Sequence, residues 1–157
     1  MSNVEFVVDR ENLEVVQKQV IDAPRERVWD AMVDPALVPQ WWGPAALTTG
    51  VEQMDVREGG TWRYVQRDRE GHEYAFSGVY RTVEPPGRLE YSFTYEGEPD
   101  DLMEETATLE ELPGGRTVLT TRSRFATVEA LDGAVSSGME EGATESMERF
   151  ADLIERR

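Results

Sequence analysis

A series of β-strand patterns joined by short turn signals occupies residues 51–125, and this series most constrains the fold. In residues 88–96 every second residue is apolar or aromatic, which is typical of a half-buried strand. Gly78, inside a longer strand pattern, predicts a bulge or a close approach of another backbone. Consecutive strands joined by hairpins pair antiparallel. Strands are predicted over residues 13–21, 51–56, 61–67, 73–84, 88–96, 102–112 and 116–125.

One long amphipathic helix is predicted at the end of the chain, from Val135 or Met139 to residue 157. Its apolar stripe consists of Met139, Ala143, Met147, Phe150 and Ile154. Two short helices are predicted after the first strand, at Pro24 and at Pro35, because proline suits the first helical position. A sheet with one apolar face needs a cover. We therefore expect an α+β protein, with a curved antiparallel sheet of about six or seven strands wrapped around the long C-terminal helix.

The length of 157 residues fits one domain, so we expect a single domain over residues 1–157. Residues 1–12 include the apolar residues Val4, Phe6, Val7 and Val8. They form an N-terminal extension, for which the sequence leaves three alternatives. The extension could add an edge strand, pack across the domain, or contact a second subunit of a homodimer.

The net charge of −16 excludes several classes of partner. Nucleic acids and anionic membrane surfaces are bound mainly by Lys and Arg, so neither is expected. No apolar run is long enough to span a membrane, and no signal peptide is evident, so we expect a cytoplasmic protein. The chain has no cysteine and one histidine, His72, in a predicted turn where we expect it to be exposed. Neither a metal site nor a cofactor is expected.

Aromatic side chains on the predicted strands are the strongest indication of a binding site. The functional interpretation is a pocket for an apolar or aromatic ligand, oriented by tyrosine hydroxyls. The alternative is an ordinary packed core. Adjacent Trp41 and Trp42 cannot share one face, so one should pack inward and the other cap an edge or stay partly exposed. The candidate lining residues are Trp41, Trp62, Tyr64, Phe76, Tyr91, Phe93, Met139 and Met147.

Charged residues on the strands give weaker indications. Neighbours on a strand point to opposite faces, so the pair Glu104 and Glu105 cannot converge on one site. One of them, facing inward, could have a raised pKa and act as a base. Any of Arg63, Arg81 and Arg122 could face inward and bind a ligand carboxylate. The alternative is pairing with acids on the outer face. No catalytic residue is assigned.

The order of these motifs resembles a known family. The first strand passes into the first helix in residues 21–29, and a Trp-rich element follows in residues 41–44. The central hairpin lies in residues 78–89, and the closing helix begins at Gly138. Together they resemble the bacterial branch of the activator of heat-shock protein ninety ATPase homologues. This family belongs to the SRPBCC superfamily, also called START-like or Bet v 1-like, which has the helix-grip fold.

The resemblance implies a cavity between the sheet and the long helix that holds a small hydrophobic molecule. It leaves three functions open. The first is binding of such a molecule, with no chemistry. The second is an enzyme of polyketide cyclase or dehydratase type, which uses the same cavity. The third is a co-chaperone-like interaction module, since the eukaryotic namesake stimulates a chaperone ATPase, with an apolar patch around Trp42 as its expected surface.

Overall fold

The structure is a computed structural model, and it describes residues 4–100 and 102–155. Its elements follow one another as eight strands and four helices within the described residues. They are β1 Val4–Asp9, β2 Glu14–Ile21, α1 Arg25–Val33, α2 Val38–Trp41, β3 Thr48–Met54, β4 Thr61–Arg67, β5 Glu73–Glu84, β6 Arg88–Tyr95, β7 Met103–Leu112, β8 Arg116–Phe125, α3 Val128–Ser136 and α4 Met139–Glu155.

All eight strands form one antiparallel sheet in the order β1-β2-β8-β7-β6-β5-β4-β3. The sheet therefore has one strand more than the upper limit expected from the sequence. The added strand is β1, which pairs with β2 from Val4 opposite Gln19 to Asp9 opposite Glu14. Of the roles left open for the N-terminal extension, the structure shows an edge strand. Residues 1–3 lie outside the described part of the chain.

The two short helices follow β2 as predicted, but the end of the chain differs. Helix α3 was not predicted, whereas α4 begins at Met139, the later of the two predicted starts. Thr127 caps α3 by accepting a hydrogen bond from the backbone N–H of Ala130. Gly138 has φ 94° and ends α3, because only glycine adopts this left-handed backbone without strain. The last two residues of the predicted helix lie outside the described chain.

Helix α4 crosses the concave face of the sheet and is held to the loop that follows α2. Ser146 Oγ donates to the carbonyl oxygen of Trp41 and accepts from the N–H of Gly43, both at 3.0 Å. Arg149 donates to the carbonyl oxygens of Gly43, at 2.8 Å, and Gln40, at 2.9 Å. These bonds fix the two tryptophans of the loop relative to the helix.

Two hydrophobic clusters lie beneath the helices. The larger one, the aromatic cluster, is covered by α1, α2 and the C-terminal part of α4, and it includes Trp41, Trp62, Tyr64 and Phe150. The smaller one, the α3 cluster, contains the buried residues Val15, Phe125 and Leu131, with Phe6 and Met139 packed against them. The chain thus folds over one sheet with two separate apolar centres.

Gly78 lies where two strands come unusually close. A Cβ atom added there would stand 1.8 Å from the carbonyl oxygen of Ser92 on β6. The register of β5 and β6 shifts just beyond, between Tyr80 and Thr82. The close approach predicted from the strand glycine is confirmed, and it bends the sheet at the aromatic cluster.

Candidate functional site

A small, partly open cavity lies in the aromatic cluster, between the sheet and the helices. Its volume is about 40 Å³. On this measure one water needs about 10–15 Å³, so the space would hold roughly three waters. Pockets for drug-sized ligands measure about 300 Å³ or more. The lining residues are Met32, Trp41, Trp42, Trp62, Tyr64, Tyr80, Leu89, Tyr91 and Phe93.

The adjacent tryptophans both contribute to the wall. Trp41 is buried, donates from Nε1 to the carbonyl oxygen of Ala31 at 2.9 Å, and meets Phe150 edge-on at 4.5 Å between ring centroids. Trp42 is half-buried, and its ring packs edge-on against Tyr64 at 5.1 Å and against Phe76 at 5.2 Å. One tryptophan is therefore deeply buried and the other only partly, as the sequence predicts. However, Trp42 forms cavity wall instead of an edge cap.

A row of polar side chains crosses the concave face beside this wall. Tyr80, Tyr91, Glu105 and Ser123 stand directly opposite one another on the neighbouring strands β5, β6, β7 and β8. The Tyr91 hydroxyl donates to Oε2 of Glu105 at 2.6 Å. Ser123 Oγ donates to Oε1 of the same carboxylate at 3.0 Å. The row therefore places a carboxylate within hydrogen-bonding distance of a tyrosine that lines the cavity.

Burial raises the pKa values of two members of this row, Glu105 and Tyr91. Desolvation raises the pKa of Glu105, and the hydrogen bonds from Tyr91 and Ser123 oppose that rise. Desolvation, followed by the charge of Glu105, raises the pKa of Tyr91 well above its usual value. The row thus holds a desolvated carboxylate against a tyrosine that keeps its proton.

Two further hydroxyls lie at the cavity. Those of Tyr64 and Tyr80 hydrogen-bond to each other, and Tyr64 Oη also lies 3.8 Å from Sδ of Met54. Desolvation raises the pKa of Tyr64 well above its usual value and raises that of Tyr80 to about 12. Both therefore remain neutral and have partners within the protein.

The sequence-predicted lining residues fall into three groups. Five of them line the cavity: Trp41, Trp62, Tyr64, Tyr91 and Phe93. Phe76 packs behind Trp42, and Met147 packs against the aromatic cluster. Met139 lies in the α3 cluster, away from the cavity, because the break at Gly138 makes it the first residue of α4.

Four lining residues were missed by sequence reasoning, namely Met32, Trp42, Tyr80 and Leu89. Tyr80 and Leu89 carried a signal, since both lie on the apolar side of an alternating strand pattern. The tryptophan pair was a signal for Trp42. Met32 lies on α1, and no local pattern could place that helix over the cavity.

A larger depression lies on the opposite, convex face and measures about 510 Å³. Threonines from β7 and β8 form its floor, and exposed ion pairs form its rim. Arg81 pairs with Glu104 at 3.1 Å, and Arg122 pairs with Glu14 at 3.6 Å. The three arginines considered as inward ligands, Arg63, Arg81 and Arg122, all pair with acids of the outer face instead.

The remaining titratable motifs bring no chemistry to the cavity. His72 is exposed in the turn and bonds to Asp68, with 3.0 Å between Nδ1 and Oδ2. Among residues 4–100 and 102–155, no group of three or more His, Asp or Glu side chains lies close enough to hold a metal ion. None of the described helices is both long and apolar enough to cross a membrane.

A long C-terminal helix gripped by a curved antiparallel sheet defines the SRPBCC, or Bet v 1-like, class of proteins. Within this class, residues 22–155 match the family model described as activator of Hsp90 ATPase homolog 1-like protein. The chain belongs to that family, as its motifs indicated. No curated protein matched the chain.

Several solved structures share the fold over nearly the whole chain. A protein from Arthrobacter aurescens is 28% identical, with a TM-score of 0.90 over 99% of this chain and 94% of that one. Protein Ms6760 from Mycobacterium smegmatis is 25% identical, with a TM-score of 0.86 over 96% of both chains. Protein CV1439 from Chromobacterium violaceum is 27% identical, with a TM-score of 0.81 over 91% of this chain and 97% of that one.

Proposed function

We propose that the protein binds a small hydrophobic or aromatic molecule in the cavity between the sheet and α4. The observation that carries the proposal is the cavity wall of packed aromatic rings, three of which are tyrosines. Such a wall offers apolar surface to a ligand, and the hydroxyls fix its orientation. The acidic chain gives no comparable site for an anionic polymer.

Ligand entry requires the wall to open, because a volume of about 40 Å³ is too small for an aromatic ring. Met32 and Trp42 are the lining residues best placed to move. Both are only partly buried and lie outside the sheet, whereas the other partly buried lining residues, Tyr91 and Phe93, lie on β6. Met32 also has a flexible, unbranched side chain that adapts to new neighbours.

The test is native mass spectrometry of the purified protein, followed by denaturation and extraction with organic solvent. The proposal predicts that a small apolar molecule is released in a stoichiometric amount. Protein that is purified empty, and that takes up none of a set of small aromatic probes, would overturn the proposal.

A matched pair of variants shows whether the bound molecule occupies this cavity. Met32→Trp fills the cavity from α1, so we expect the molecule to be lost. Met139→Trp adds the same bulk in the α3 cluster, and we expect the molecule to be retained. The opposite result would place the ligand in the α3 cluster and support the sequence-based assignment of Met139 as a lining residue.

An acid–base enzyme working in the same cavity is the second candidate. It is favoured by the carboxylate of Glu105, which is desolvated and hydrogen-bonded to a cavity tyrosine, and to which no Lys or Arg of the described residues is bonded. Such a group is a candidate for proton transfer. The two candidates differ in one readout, since an enzyme releases its added ligand chemically changed, and a binding protein releases it intact.

The interaction module has less support. Its expected surface was an apolar patch at Trp42, but this ring packs against Tyr64 and Phe76. Within the described residues, the exposed large hydrophobic side chains are Val7, Val8 and Leu102, which lie far from Trp42 in the sequence. No chaperone-binding surface is proposed.

A further inference from the structure

The Tyr91 hydroxyl has a single proton, and the structure shows where that proton goes. It is donated to Glu105 over 2.6 Å. This distance falls in the range of about 2.5–2.7 Å found for O–H donors on ionised carboxylates. Ser123 donates to the other carboxylate oxygen. Both bonds fit an ionised Glu105 that accepts protons from two sides.

A hydroxyl whose proton is engaged can only accept a further hydrogen bond. Tyr91 therefore offers its lone pairs, and no proton, to a molecule in the cavity that its ring lines. Its raised pKa keeps the hydroxyl neutral. The hydroxyls of Tyr64 and Tyr80 are bonded to each other. Of the cavity tyrosines, Tyr91 is therefore the one whose hydroxyl proton is donated to a carboxylate.

No positively charged side chain lies among the residues that line the cavity in the described chain. An anionic ligand would thus enter a desolvated space beside the ionised Glu105 without a compensating cation, which is strongly unfavourable. A ligand with only acceptor groups could not pair with the lone pairs of Tyr91, and its acceptor would have to reach the buried Nε1–H of Trp62, which has no partner within the described residues.

We propose that Tyr91, oriented by Glu105, selects uncharged aromatic ligands that present an N–H or O–H donor, of the indole or phenol type. This inference rests on the proposed binding function and specifies its ligand class. Tyr91 contacts the ligand, whereas Glu105 is a positioning residue that acts through Tyr91. The specificity thus arises from a cross-strand pair of β6 and β7.

The test compares indole with benzofuran, two molecules of nearly the same shape, of which only indole has a donor. Binding is measured by isothermal titration calorimetry on the full chain. The wild type is expected to bind indole roughly tenfold more tightly, the size of effect expected when a buried hydrogen bond is lost. Equal binding, or tighter binding of benzofuran, would overturn the inference and leave the binding function standing.

Variants of the pair assign the preference to these residues. Tyr91→Phe keeps the ring and removes the acceptor, so the preference should vanish while benzofuran still binds. Glu105→Gln provides an amide donor to Tyr91 and frees the tyrosine proton, so the preference should fall at least severalfold. Tyr95→Phe, four residues further on the same strand, is the control and should keep the wild-type ratio.

Each outcome has a distinct meaning. If neither molecule binds the wild type, the proposed cavity function fails and the inference fails with it. If Tyr91→Phe keeps the wild-type ratio, Tyr91 does not select the ligand and the inference is overturned. If Glu105→Gln does not fold, Tyr91→Phe alone decides, because it preserves the ring packing of the core.

Discussion

Glu104 and Glu105 are chemically identical neighbours on one strand, yet they lie on opposite faces of the sheet. Glu104 is on the convex face, where it pairs with Arg81 at 3.1 Å and both side chains are about half exposed. Glu105 is on the concave face, where hydroxyls of Tyr91 and Ser123 surround it. The comparison shows that the face of the strand, and not the residue type, decides what a carboxylate does here.

The two depressions of the molecule show the same contrast. The convex one is more than ten times larger, about 510 Å³ against about 40 Å³. It is open to water, so its charged groups are screened and already paired. The concave one is small and lined by aromatic side chains. Desolvation there strengthens every polar contact, so volume alone does not identify the functional site.

The largest expected effect comes from truncating a ring on the concave face. Trp62→Ala should lower the free energy of unfolding by about 3–5 kcal/mol, because it leaves a hole in a buried cluster. Urea denaturation measures the loss. Arg63→Ala, at the next residue and on the other face, should cost much less. Equal losses of unfolding free energy in the two variants would contradict the difference between the two faces of the sheet.

A methyl group at Gly78 tests the close approach of β5 and β6. Gly78→Ala should lower the free energy of unfolding by about 1–3 kcal/mol, since the new Cβ would overlap the carbonyl oxygen of Ser92. Gly50→Ala on β3 is the control, because its Cβ would lie 3.9 Å from the nearest atom. Thermal unfolding compares the two. A harmless Gly78→Ala would mean that the strands lie further apart.

The pH dependence of stability should distinguish Glu105 from its neighbour. A raised pKa in the folded state means that Glu105 favours folding below its unfolded value of 4.5 and loses this contribution as pH rises through the raised value. Glu105→Gln should therefore gain stability relative to the wild type as pH rises from 4.5 through the raised pKa of the folded state. Urea denaturation across this range measures the difference. A constant difference would show that Glu105 is not desolvated.

The smallest effect is expected on the convex face. Glu104→Gln removes an exposed ion pair and should change the free energy of unfolding by less than about 0.5 kcal/mol. The difference should shrink as salt is added, because exposed charges are screened. Denaturation at low and high ionic strength checks both statements, and a large, salt-independent loss would contradict them.

Local sequence patterns determined most of the fold. Alternation in residues 88–96 assigned Tyr91 and Phe93 to the inner face, and the same rule separated Glu104 from Glu105. The helix starts near Pro24 and Pro35 were predicted from the chemistry of the first turn, although Pro24 proved to be the cap preceding α1. These features depend on neighbouring residues, so a pattern along the chain records them.

The end of the chain shows where such patterns lose their power. Helix α3 was missed, since a short segment interrupted by glycine gives little periodicity. As a result, Met139 lies in the α3 cluster and not at the cavity, where the sequence had predicted it. A single left-handed residue, Gly138, redirects the chain there, and the direction it takes depends on packing against β8 and α4.

The sequence by itself determined seven strands of the antiparallel sheet, the gripping helix, the family and the inner face of the strand at residues 88–96. Only the tertiary structure decided that Trp42 forms cavity wall, that the cavity is small, and that Tyr91 meets Glu105 and Ser123. The physical reason is the register between strands. It joins residues up to 18 positions apart in this row, and it is set by turns, bulges and packing together, so no single segment contains it.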